Sequence, residues 1–214
     1  MTEKDLYSFY NEKVKVIYSW IEAKNNNISV ELLFEIHAAF DHLKGYHLGE
    51  IAEEEACKEA MSHLRRGMLD AFKLKLKYFN TDFDMYIGKN SDILEIIDNG
   101  EFTKDLYKNK ADIENNGTHA RMSESQGNID DAFENWCRVS VLIDGFSKKY
   151  FSEEKILWAK SKKKTQIIKE RIIGIVIGLI VGVLGSIIAT IIYNNYFSWT
   201  PFEVFFKSPW FSEL

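Results

Sequence analysis

From Ile172 to Tyr193 the sequence reads "IIGIVIGLIVGVLGSIIATIIY", 22 residues without a charge. Nothing else in the chain limits its fold so strongly. At a helical rise of 1.5 Å per residue this stretch reaches about 33 Å, enough to cross a hydrocarbon core of about 30 Å. A segment in lipid must satisfy its own backbone amides, so the stretch predicts one transmembrane helix over 172–193. The opening residues, "MTEKDLYSFYNEK", are charged and have no apolar core, so no cleavable leader is expected. The expected layout is tail-anchored and single-pass.

The flanks predict an orientation. Lys160, Lys162, Lys163, Lys164, Lys169 and Arg171 precede the span, whereas Lys207 is the only base after it. Cations stay on the cytoplasmic side, which places the N-terminus in the cytoplasm and residues 194–214 across an inner (cytoplasmic) membrane. The same six cations suit anionic lipid headgroups, so the bilayer surface is an expected partner. The overall charge of −5 conceals an acidic head, because residues 1–154 hold 19 Lys/Arg against 29 Asp/Glu. Direct nucleic-acid binding is therefore not expected.

Within the span, Gly174, Gly178, Gly182, Ser186 and Thr190 recur every four residues. A four-residue step drifts only about 40° around a helix, so these small residues form one groove. In lipid, where apolar burial gives helices little reason to associate, such grooves let two backbones approach closely. Self-association into a homo-oligomer is the expectation. The following segment carries Tyr196, Phe197, Trp199, Phe202, Phe205, Phe206, Trp210 and Phe211. They are expected at the membrane interface, as a belt fixing depth or as a segment that disturbs the outer headgroup layer.

Upstream of the span the fold class is all-α. Both prolines, Pro201 and Pro209, come after it, so nothing breaks a long helix before residue 200. One apolar face runs through Leu6, Phe9, Val14, Ile17, Trp20 and Ile21. A second, capped by Ser29, runs through Leu33, Ile36, Phe40 and Leu43 to a stop at Gly45. A third runs from Ile51 through Cys57, Met61, Leu64, Met68, Phe72 and Leu76. Between 80 and 127 turn signals predict only short helical pieces, such as 92–98 and 101–109. The rhythm returns at Ile129, Phe133, Trp136, Ser140, Ile143, Phe146 and Tyr150. Period-two alternation is not sustained anywhere. The expected domains are a cytoplasmic helical bundle of four or five helices over 1–151, a basic juxtamembrane helix over 152–171, the span over 172–193 and an aromatic-rich extracytoplasmic tail over 194–214. With Ser152 as a helix start and no breaker before Asn194, one helix of about 40 residues, roughly 60 Å, is expected to continue into the membrane.

Catalytic patterns are weak. His37 and Asp41 share a helix face, but His42 and His47 do not join them as metal ligands. Arg66 and Asp70 have ion-pair spacing. Cys57 and Cys137 lie 80 residues apart in helical patterns and read as buried thiols. The Arg-x4–6-His pairing of some helical ribonucleases is absent. No enzyme activity, cofactor or metal is expected. The expected function is a membrane protein whose cytoplasmic part binds a protein or small-molecule trigger and whose spans self-associate. By analogy of layout, this suits a membrane-perturbing effector of a bacterial antiviral-defence or toxin-like system. A membrane-anchored adaptor or scaffold is the alternative, and an anchored ribonuclease-like enzyme the third.

Overall fold

The computed structural model describes residues 1–27 and 29–197, with Asn25, Tyr196 and Phe197 described by backbone alone. Among these residues every regular element is helical and there is no strand. Two units divide the chain, Met1–Ala159 and Lys160–Leu214.

The first unit opens with α1 (Glu3–Phe9), whose start is a capping box. Thr2 accepts from the Asp5 amide at 3.4 Å, and the Thr2 amide donates to the Asp5 carboxylate at 2.9 Å. A π-helical turn (Tyr10–Val14) joins it to α2 (Lys15–Asn25) without a break in helical backbone. The wider turn explains the five-residue step from Phe9 to Val14. Seven residues beyond Leu6 a plain α-helix would turn Lys13 inward, but the π turn buries Val14 and leaves Lys13 exposed. Asn26 closes α2 in the left-handed conformation at φ 48°.

Helix α3 (Val30–His47) begins where expected, with Ser29 accepting from the Leu32 amide at 3.4 Å. It does not stop at Gly45. That glycine is buried inside the last turn with Ile51 folded against it, and the chain turns only at Gly49, φ 74°. Helix α4 (Glu53–Leu94) also corrects the sequence reading. It runs 42 residues, and α5 (Glu101–Ser125) runs 25, through a region where only short pieces were expected. Polar residues throughout this region instead bond to their own helix. Thr81 donates to the Lys77 carbonyl, Asn90 to Tyr86, Asn109 to Asp105, Asn116 to Asp112 and Thr118 to Glu114, at 2.7–3.2 Å. Without proline, these residues cost helix stability but do not end it. The break falls at Ile97–Gly100, where Asp98, Asn99 and Gly100 all adopt positive φ.

Helix α6 (Ile129–Tyr150) follows, and α7 (Glu153–Ile192) is one uninterrupted helix of 40 residues starting directly after Ser152. Ile156 and Ala159, in its first turns, are buried in the first unit. That unit shares one apolar core. Leu32, Leu64 and Met68 come from α3 and α4; Phe79, Phe83 and Phe146 meet edge to face or tilted at 5.0–6.4 Å; Trp136 is completely enclosed. Gly67 of α4 packs tightly against α3. A Cβ there would stand 2.8 Å from Leu32 Cδ1 and 3.0 Å from Glu35 Cβ on α3.

Candidate functional site

The second unit carries residues 172–193. Lys160 to Ile192 is continuous α-helix, and a π turn (Tyr193–Phe197) closes it. One helix among the described residues is long and apolar enough to cross a membrane. Its most apolar 18-residue window has mean hydropathy 2.8, and none of that window is buried. Gly174, Gly178, Gly182, Ser186 and Thr190 all lie in this exposed helix. The space where a Cβ would project is open at each of the three glycines and at Gly185. In this stripe the Thr190 hydroxyl donates to the Ser186 carbonyl at 2.8 Å along the helix. This satisfies the hydroxyl locally and keeps the stripe apolar in outline.

Of the basic residues, Lys160, Lys162, Lys164, Lys169 and Arg171 are exposed and Lys163 is half-buried. Helical spacing distributes them around the rod rather than along one side. Tyr196 and Phe197 contribute backbone to the closing π turn. Their side chains, together with Trp199, Phe202, Phe205, Phe206, Trp210 and Phe211, lie outside the described residues.

In the first unit the structure assembles polar sites that sequence periodicity left unmarked. Lys75 of α4, 3% exposed, donates to Ser140 Oγ at 2.8 Å and meets Asp144 at 2.8 Å, both on α6. Its ammonium also lies 5.0 Å from the Trp20 ring of α2. A buried cation thus ties three helices, with its charge spread between a carboxylate and an aromatic face. The signal was present in the sequence: Lys75 stands seven residues after Met68, on the buried face of α4.

The end of α6 holds a second cluster. Tyr150, 1% exposed, donates its hydroxyl to Asp105 of α5 at 2.6 Å and accepts from Asn109 at 2.8 Å. Lys149 also reaches Asp105 at 2.6 Å, and the Tyr86 hydroxyl donates to the Tyr150 carbonyl at 2.8 Å. The Lys149 ammonium, and secondarily the Tyr150 hydroxyl, hold the Asp105 carboxyl below its ordinary value, while burial raises both tyrosine hydroxyls.

The histidine-rich segment resolves into structural contacts. Asp41 pairs with Lys44 at 3.0 Å, His42 stacks on His63 at 5.1 Å, and His47 meets Glu3 at 2.9 Å. His63 Nδ1 also contacts Glu35 at 2.6 Å. The Arg66–Asp70 pairing is corrected: Asp70 pairs with Lys73 at 3.0 Å, and Arg66 reaches across to Glu35 at 3.9 Å, because α3 packs closely enough to offer a carboxylate. Cys57 is buried as expected. Cys137 is only half-buried, because the buried face of α6 runs through Trp136, Val139 and Ile143 and Cys137 stands beside it, and burial raises both thiols. Among the described residues no three His, Cys, Asp or Glu side chains gather as a metal site. The chain finds no significant match among described protein families, curated proteins or solved structures.

Proposed function

We propose that this chain is a membrane-anchored protein. In this reading residues 172–193 span a bilayer, a helical bundle before them lies in the cytoplasm and binds a partner, and the spans self-associate through the Gly174–Gly178–Gly182–Ser186–Thr190 stripe. One observation carries the reading: residues 172–192 of α7 are exposed on every side, with mean hydropathy 2.8 over the most apolar 18 residues and none of that window buried. Leaving a large aliphatic side chain in water forgoes about 1.5–3 kcal/mol. Over the whole segment this is tens of kcal/mol, more than a domain's net stability. A hydrocarbon solvent removes that cost. The six cations before the segment and the single Lys207 after it support a cytoplasmic N-terminus.

The activity we assign is perturbation of the bilayer by assembled spans, as in an effector of a bacterial defence or toxin-like system. The test has two parts. After Cys57→Ser and Cys137→Ser, a Ser212→Cys chain should react with an impermeant thiol reagent outside intact bacterial cells, and a Lys4→Cys chain only after permeabilisation. The reverse pattern overturns the orientation. Overexpression of the unaltered chain should depolarise the cells. Normal potential at full membrane abundance would leave the adaptor reading in its place.

A further inference from the structure

We propose that the groove between α1 and α3 docks a basic amphipathic helix from a soluble partner. The inference rests on the reading above, that the first unit binds a partner, and names the surface and the chemistry. The groove encloses about 170 Å³ and is lined chiefly by Leu6, Tyr7, Tyr10, Ile36, Phe40 and Leu43. Tyr10 comes from the π turn, the kind of helical irregularity that recurs where a surface is shaped for a ligand. From the groove the apolar surface continues along α3. Phe40, in the groove lining, is 54% exposed, and Val30, Leu33 and Phe34 beyond it are 55%, 41% and 71% exposed. These positions share one face and cover about 15 Å, or roughly three helical turns. Exposed aliphatic and aromatic residues grouped in this way are uncommon on a soluble surface that binds nothing. The length of this face accommodates a helix presenting apolar anchors at i, i+4 and i+7.

Charge selects the occupant. Met1–Ala159 holds 20 Lys/Arg against 29 Asp/Glu, so each copy carries about −9 and two copies repel. On helix α3 Asp41 pairs with Lys44 and Glu35 meets His63 and Arg66 of α4, so the negative field at the groove is that of the unit as a whole. A partner bearing Lys and Arg around an apolar stripe matches both the groove and the acidic field that surrounds it.

The test uses the full chain in phosphatidylcholine nanodiscs, whose zwitterionic lipid does not attract a basic peptide. The probe is a fluorescent peptide of about five helical turns, with Leu at i, i+4, i+7 and i+11 and Lys elsewhere. Its Glu-for-Lys counterpart is the comparison. The Lys peptide should bind, the Glu peptide should not, and Phe34→Asp with Phe40→Asp should weaken binding at least about tenfold. Val141→Asp, at a 70% exposed position on α6, should leave it unchanged. No binding, equal binding of the Glu peptide, or equal loss with Val141→Asp overturns the proposal. So does Phe34-dependent pairing of two chains, which would make a second copy the occupant. Insertion is read separately by co-elution with lipid. A chain that inserts but ignores the peptide sinks the docking proposal alone. One that fails to insert sinks the membrane reading alone, and the peptide is then titrated onto the detergent-held chain.

Discussion

Tyr150 and Asp105, 45 residues apart in the chain, meet through a 2.6 Å hydrogen bond that joins the last residue of α6 to α5. The Tyr150 carbonyl meanwhile accepts from Tyr86 of α4. Three helices therefore fix the point from which the chain turns into α7. Replacing Tyr150 by Phe keeps the ring among Phe102 and Phe146 and removes only the hydroxyl. The hydroxyl takes two part-buried hydrogen bonds with it, but Asp105 retains Lys149 and Asn109 retains the Asp105 carbonyl, so the expected loss is about 1–3 kcal/mol. Chemical denaturation of the full chain in detergent should show it as a lower midpoint with unchanged helical circular dichroism. An unchanged midpoint would make the bond decorative.

The same carboxyl predicts a pH response. Lys149 first, then Tyr150, lower the Asp105 value from its ordinary 3.8. A depressed acid contributes stability above its unfolded value and loses it as pH falls through the folded one. Stability attributable to Asp105 should thus be level from about pH 7 to 5 and fall below about pH 4. Asp105→Asn should remove that part of the acid slope. Asp5 and Asp41, lowered by Thr2 and Lys44, keep theirs in the variant. An identical acid profile for both chains would exclude the linkage.

Two glycines of α4 should respond oppositely to alanine. At Gly88 the space for a Cβ is open, so Gly88→Ala should stabilise by about 0.5–1 kcal/mol through helix propensity. At Gly67 the new methyl meets Leu32 Cδ1 and the Cβ of Glu35, which moves only with its backbone. Gly67→Ala should therefore destabilise by about 1–3 kcal/mol as α3 is pushed away. Paired thermal melts decide the matter, and a shift of the same sign at both sites would remove the close approach from the account.

The span stripe gives a test of association. Gly178→Leu with Gly182→Leu should insert normally, since leucine is more apolar and a better helix former. The open groove is then filled, so cross-linked oligomers in membranes and any depolarisation should be lost. Ile177→Leu with Ile180→Leu changes shape off the stripe and should alter neither. Persistent oligomers in the glycine variant would shift association to the first unit or to the aromatic segment.

Much of the helical order was legible because apolar residues at three- and four-residue steps report one buried face. Leu64, Met68, Phe72 and Leu76, and later Trp136, Ile143 and Phe146, lie on such faces and are buried. The signal failed at 80–127, where Asn, Thr and Ser advertise turns but their side chains can equally bond back to i−4 carbonyls. Which of the two happens is decided by packing. Phe83, Ile93, Leu106 and Ile113 are buried there and hold the helices through weak local sequence. Gly45 misled in the same way, since a glycine can end a helix or make room for Ile51. The docking groove was not legible, because it depends on two segments meeting across α1 and α3. The long apolar helix over 172–192 could be read directly, because its length and composition alone carry the signal.

The π turn at Tyr10–Val14 has a consequence for how this chain compares with others. Its one extra residue restores phase: the apolar ladder before it and the one after it are out of step when counted in letters and in step when measured in space. A homologue with a plain α-helix here would carry one residue fewer and still bury the same side chains. Its alignment to this sequence would show a gap inside an unbroken helix.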